Sequence, residues 1–217
     1  MALLKSPRRA RSRRHVSACR HLRSADPVLA QVMVGLGPCG LTPRREHFST
    51  LCDSIISQQL SAAVAAIIFR RFLTLFPNRR PTPERLARLP QARLTRTGVS
   101  IQKARYLKAL AQAFLTRRLQ PRAWSRQSND AIIDLLVSVH GVGRWTAQMF
   151  LIFALNRLDV LPIEDLGIRK AVQIWYGLRT LPSARSLRHI AKAWHPYESI
   201  ACWYLWQSLR RRSTRAT

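Results

Sequence analysis

Residues 135–172 read LLVSVHGVGRWTAQMFLIFALNRLDVLPIEDLGIRKAV, and this stretch decides the fold. It reads as a helix, a glycine hairpin (Gly141-Val142-Gly143), a second helix, and a loop carrying two adjacent acids, Glu164 and Asp165. Two glycines around one residue allow a tight turn with exposed backbone N–H groups. The helix that follows adds the positive end of its dipole, so the turn suits a phosphate. A carboxylate in that setting is poorly placed to bind phosphates. It is better placed to act on what they hold in position.

The rest of the composition says whose phosphate is meant. Lysine and arginine number 37 against 10 acids, a formal net charge of +27 with a pI near 11.8. Such an excess bears on partners rather than fold, and nucleic acid leads because each neutralised phosphate releases counterions. A genome rich in arginine codons is the alternative source of the excess. The 217 residues, 47% hydrophobic, suffice for one domain or two small lobes. The longest apolar runs, Ala62–Phe69 and Met149–Leu155, are too short to span a bilayer, and no membrane association is expected. Cys19, Cys39, Cys52 and Cys202 are widely spaced, with no CxxC or Cys/His cluster, so neither zinc nor an iron–sulfur cluster is expected. Reduced thiols fit a cytoplasmic, nucleoid-associated protein of a bacterium, or a nuclear or organellar one of a eukaryote.

From Asp26 onward nearly everything reads as helix, with short loops and no convincing period-2 strand. Asp26 caps a helix with Pro27 at its first position, and Gly35 to Gly40 ends it. Helical spacing follows near 45–58 and 61–76. A short helix starts at Thr82-Pro83-Glu84, and a long one covers Ser100 and 103–119. Ser128 or Asn129 caps 131–139, the hairpin leads into 143–156, and helices over 166–178, 183–194 and 196–212 complete the set. Residues 1–24, rich in arginine and serine and without an acid near the start, read as a disordered basic arm. A transit peptide or a misassigned start codon are the alternatives. The folded domain is expected over 25–209, with its hairpin motif at about 131–156, and residues 210–217 as a basic tail.

Four segments in order resemble the helix-hairpin-helix DNA glycosylases with a catalytic aspartate, and among them the 3-methyladenine DNA glycosylase II (alkylation repair) branch. They are Ile56-Ser57-Gln58-Gln59-Leu60-Ser61, Gly98-Val99-Ser100 with Lys103-Ala104-Arg105-Tyr106-Leu107, Gly141-Val142-Gly143-Arg144-Trp145-Thr146-Ala147, and Leu161-Pro162-Ile163-Glu164-Asp165-Leu166. Asp165 follows Trp145 by 20 residues, which is also the spacing of that branch. The resemblance covers about Asp26 to Trp206. It implies an all-α fold of two helical lobes with a cleft between them, and no N-terminal β domain.

The same resemblance assigns roles. Asp165 becomes the catalytic carboxylate, stabilising the oxocarbenium-like charge that develops on deoxyribose and orienting the attacking water. The alternative is that Asp165 only caps the helix starting at Leu166, and both can hold. Glu164 is the neighbouring acid. Trp145 stands where family members with lyase activity place a Schiff-base lysine, which implies a monofunctional enzyme. Its indole could stack on a flipped cationic purine, or simply belong to the core. Trp206, Phe48, Tyr204 and Trp203 are further pocket candidates. Gln58 and Gln59 are candidates to fill the gap left by a flipped base, Gln59 standing where some relatives carry a leucine wedge. Gly141, Gly143, Arg144 and Thr146 are the expected phosphate contacts. The carbonyls of Val137, Val139 and Gly141 are the expected ligands of a monovalent cation, Na+ or K+. His140 replaces a proline common in relatives.

The function implied is excision of alkylated purines of the 3-methyladenine and 7-methylguanine type from double-stranded DNA. The protein would act as a monomer, with a downstream abasic-site endonuclease acting on the product and no cofactor required. Two alternatives stand beside it: a glycosylase for a neutral damaged base, and a non-catalytic helix-hairpin-helix DNA-binding module.

Overall fold

The structure is a computed structural model that describes residues 13–213. Among these residues all regular structure is helical, with no strand. The chain divides into two compact units: one spans residues 43–155, and the other combines the chain up to residue 42 with that from 156 onward.

The first unit holds α3 (His47–Ser57), α4 (Ala62–Leu73), α5 (Pro83–Arg88), α6 (Gln91–Thr95), α7 (Ile101–Leu115), α8 (Asn129–Val137) and α9 (Arg144–Phe153). Local chemistry sets most of the starts. The hydroxyls of Ser61, Thr82, Ser100 and Ser128 accept the N–H three residues on, each satisfying a donor that the first helical turn leaves without a partner. Its core is aromatic at one end: Trp124, 2% exposed, packs edge-on against Phe150 at 5.2 Å and tilted against His47 at 5.4 Å. Each such ring contributes about 1.5–3 kcal/mol by burial. α7 is central, packing against α3, α5 and α6.

The second unit holds α1 (Arg13–Ala25), α2 (Pro27–Met33), α10 (Leu166–Trp175), α11 (Ala184–Ala191) and α12 (Glu198–Ser213). α12 packs on α10, α2 and α1. Here the sequence-based boundaries need correction. The segment read as a disordered arm is helical from Arg13, and Ala18 and Leu22 on its inner face are fully buried. Eight charged or polar residues among thirteen hid this stripe, whose apolar part shows only as Ala18 and Leu22 four apart, with His15 buried beside them. Residues 1–12 and 214–217 lie outside the described residues. The basic tail is likewise the end of α12 as far as Ser213, with Arg211 donating to the Gly35 carbonyl at 3.0 Å.

Candidate active site and hairpin

Asp165 sits where the loop after α9 turns into α10. Its N–H donates to the Pro162 carbonyl at 3.0 Å, closing the loop, and it takes the N-cap position of α10. Its Oδ1 accepts the Ile168 N–H at 2.8 Å and the Trp206 indole N–H at 3.0 Å. The side chain is 7% exposed. Capping and chemistry are thus compatible: the cap bond and the indole bond together fix the plane of the carboxylate. Gly167 makes the second bond possible. A Cβ there would stand 3.0 Å from Asp165 Oδ1 and 3.2 Å from Trp206 Cδ1, so the indole reaches the carboxylate over a residue without a side chain. The loop is anchored from α12 as well, where the Ser199 hydroxyl accepts the Val160 N–H at 3.1 Å. Cys202, fully buried on the same helix, has its thiol pushed up by burial first and by the Asp165 charge second.

Trp206, expected as a pocket residue, lies beside Asp165, 6% exposed and with its N–H donated to the carboxylate. Trp203 and Tyr204 serve packing: they meet edge to face at 4.9 Å, and the Tyr204 hydroxyl donates to the Gly37 carbonyl at 3.0 Å. Phe48 is a correction. It is buried in the first unit, edge-on to Phe114 at 5.0 Å, as a core residue rather than a pocket wall.

The hairpin belongs to the first unit. Gly141 adopts φ +91°, and a Cβ on it would fall 2.1 Å from Tyr106 Cγ, so both conformation and space demand glycine. Tyr106 also packs edge-on to His140 at 4.8 Å, which supports the turn. Gly143 caps α9 in an extended conformation with open space where a Cβ would be and no side-chain cap on the helix N–H groups. That end of α9 keeps the donors and dipole an anion needs. Arg144 lies at the surface, 3.7 Å from exposed Asp130, a pair worth little by itself. Thr146 departs from expectation: it is 5% exposed and its hydroxyl accepts from Gln58 at 3.4 Å, so it braces the turn rather than meeting solvent.

The two glutamines part company. Gln58 donates to the Gly141 carbonyl at 2.9 Å and is bound to the hairpin, not available to fill a gap in DNA. Gln59 is exposed and holds φ +57°, a conformation that costs a non-glycine residue of order 1 kcal/mol. Sequence reading missed the residue behind both. The Lys103 ammonium donates to the carbonyls of Ile56 and Gln58, each at 2.7 Å, tying off the C-terminal end of α3, and burial pushes its pKa down. The segment of Lys103 and Tyr106 is thus the platform of the hairpin.

Of the three carbonyls proposed for a cation, Val139 already accepts the Val142 N–H at 3.0 Å and Gly141 accepts Gln58. Each of these carbonyls keeps a second lone pair, and no step below uses a cation. Among the described residues no group of three His, Cys, Asp or Glu converges as a metal site, and no helix is long and apolar enough to cross a membrane.

Trp145, on the first turn of α9, is 40% exposed, unusual for an indole. It belongs to the first unit and Asp165 to the second.

Comparison with known proteins gives the same reading. The chain is 31% identical over 193 residues, 87% of its length, to an alkylbase DNA glycosidase-like protein of Schizosaccharomyces pombe, of which it covers 91%. The crystal structure of a DNA-3-methyladenine glycosidase from Bacillus halodurans superposes with a TM-score of 0.82 at 31% identity, covering 91% of each chain. That of the S. pombe 3-methyladenine DNA glycosylase in complex with abasic DNA does so with a TM-score of 0.77 at 31% identity, covering 88% of this chain and 95% of that one. Residues 52–196 match the family model of the HhH-GPD superfamily base excision DNA repair proteins, and the chain belongs to that family.

Proposed function

We propose that the protein is a monofunctional DNA glycosylase that flips alkylated purines out of duplex DNA and hydrolyses their N-glycosidic bond, leaving an abasic site. The observation that carries the reading is the Asp165 carboxylate, held in one plane by the Ile168 and Trp206 N–H groups in a loop of the family's pattern. The relatives named above for 3-methyladenine or alkylated bases support the substrate class.

The open N–H groups of α9 hold a phosphate of the damaged strand. The exposed indole face of Trp145 receives the flipped base; 3-methyladenine and 7-methylguanine carry positive charge, which an electron-rich ring favours. As the bond from C1′ to the base nitrogen breaks, its electron pair neutralises the base, which leaves without strong acid assistance. The positive charge passes to the sugar, where Asp165 stabilises it. Water adds to C1′ and loses its proton to Asp165 or solvent. Trp145 has no amine to form a Schiff base with the sugar, so the strand is not cut. Gln59, exposed at the α3–α4 turn, takes the gap-filling role that Gln58 cannot. The protein works as a monomer, and the abasic product passes to a separate endonuclease.

The test is base release from methylated duplex DNA by purified protein, with the product divided and treated with or without alkali. Free 3-methyladenine with strand breaks only after alkali is the expected result. Breaks without alkali would overturn the monofunctional assignment, and no released base would overturn the substrate class.

A further inference from the structure

The loop after α10 and the first two turns of α11 enclose an open groove of about 870 Å³ in the second unit. Arg179, Arg185, Arg188, His189 and Lys192 line it, all exposed, and no acid contributes to its wall. Among the described residues, none of these five side chains makes an ion pair. The loop is held in place independently of any ligand: the Arg169 guanidinium donates to the Pro182 carbonyl at 3.0 Å, and Gln173 donates to the Arg179 carbonyl at 3.3 Å. Ser183 caps α11 and its hydroxyl also meets that of Ser186 at 3.0 Å. Glu198 lies in the adjoining smaller recess shared with Arg188 and Lys192, where its Oε1 is taken by His195 Nδ1 at 2.9 Å.

Four permanent positive charges and a histidine on one wall repel one another, although Arg188 and His189, in the last turn of α11, gain from the helix dipole. Surface cations are normally interspersed with acids, whereas here the wall carries none, and the unit's Asp26 and Asp165 are buried in its interior. A polyanion that spans several of the cations at once would relieve that repulsion. Planar guanidiniums favour phosphate, which they bind bidentately, over a compact anion. The groove is also open along its length rather than closed around a small molecule.

We infer that this groove is a second DNA-binding surface, which takes the phosphodiester backbone of the duplex without reading its sequence. The inference rests on the proposed DNA glycosylase function for its partner, and it assigns a contact that the hairpin does not supply.

The test is binding of the full chain to an undamaged 30-base-pair duplex, followed by fluorescence anisotropy between 50 and 200 mM salt, with base release from methylated DNA measured at saturating protein. The variants are R185Q/R188Q and, as a charge-preserving control, R185K/R188K. Loss of two phosphate contacts lowers the slope of log affinity against log salt by about 1.8 and weakens binding about tenfold at the upper end of the range. The lysine pair should restore most of both, and base release at saturation should stay that of the parent protein. An unchanged salt slope in the glutamine pair overturns the inference. So does a groove that titrates with millimolar inorganic phosphate while DNA affinity is unaffected, which marks a small-anion site. Failure of the function itself reads differently: the parent protein would release no base, whatever the groove variants do to binding.

Discussion

Asp26 and Asp165 are built to the same local plan in the same unit, yet only one is a candidate for chemistry. Both are buried, 6% and 7% exposed, both cap a helix, and both accept an indole N–H. Asp26 spreads its donors over both oxygens: Oδ1 takes the Leu29 N–H at 2.9 Å, while Oδ2 takes the Trp194 indole at 2.8 Å and the Tyr176 hydroxyl. At Asp165 the cap and the indole fall on the same oxygen. The sequences that follow differ accordingly. Asp26 is followed by Pro27, which presets the first turn, and by Val28; Asp165 is followed by Leu166 and by Gly167, which makes room for the indole. At Asp26 the donors come from three elements and tie them together. At Asp165 the cap and the indole orient the carboxylate in a loop of the family's pattern, and a fixed orientation is what a developing positive charge requires.

The largest effect expected separates the two roles directly. Asp165→Asn retains an accepting oxygen for both N–H groups and remains a good cap, so the melting temperature should hold while base release falls about a thousandfold. Asp26→Asn turns an oxygen that faces two donors into a third donor, a loss of about 3 kcal/mol and roughly 10 °C in melting temperature. Base release by that variant, assayed well below its melting point, should match the parent. Equal loss of release in both variants would erase the distinction.

Gly167→Ala sharpens it. Alanine is the better helix former by up to about 1 kcal/mol, which offsets the crowding, so stability should change little. The new Cβ pushes Trp206 or the carboxylate by a few tenths of an ångström, and base release should fall about tenfold. Val28→Ala, at the matching place after Asp26, should leave release alone. Kinetics and thermal melts of the two variants make the comparison, and parallel losses would deny Gly167 its special place.

The smallest effect is on pH. Burial first, and then the Asp26 carboxylate, push the Tyr176 phenol well above its usual range. A proton held more tightly by the folded state stabilises it fully below pH 10, and this contribution is lost as pH rises beyond that. Denaturation by urea at pH 8 and pH 11 should show a smaller alkaline loss in Tyr176→Phe than in the parent. Some loss persists, because burial raises the Tyr204 phenol too. An identical loss would mean that Asp26 does not hold the tyrosine proton in place.

What could be read in advance follows the range of the interaction. The starts of α4, α5, α7, α8 and α10 rest on a side-chain oxygen accepting an N–H three residues away, so Ser61, Thr82, Ser100, Ser128 and Asp165 declare them in sequence. The hairpin glycines and the acid loop declare themselves for the same reason, through local backbone needs. Helix ends were less legible: α7 stops at Leu115 rather than running to 119, because Arg117 turns into the left-handed region. The first helix was obscured by its charges, since two buried apolar side chains at one spacing are a faint pattern against a run of arginines.

The sequence by itself determined the helical class, the family's motifs in order, the cationic surface, and the carboxylate and indole types available for chemistry. Only the tertiary structure decided which of them meet. Gln58 is bound to Gly141, 83 residues away, and Lys103 ties off a helix that ends 46 residues before it. Phe48 went to the core, and Trp206 to Asp165. Contacts of that separation depend on how whole helices pack. A side chain's own neighbours in sequence carry almost no information about them, whereas a cap, a turn or a charge run is settled within one helical turn.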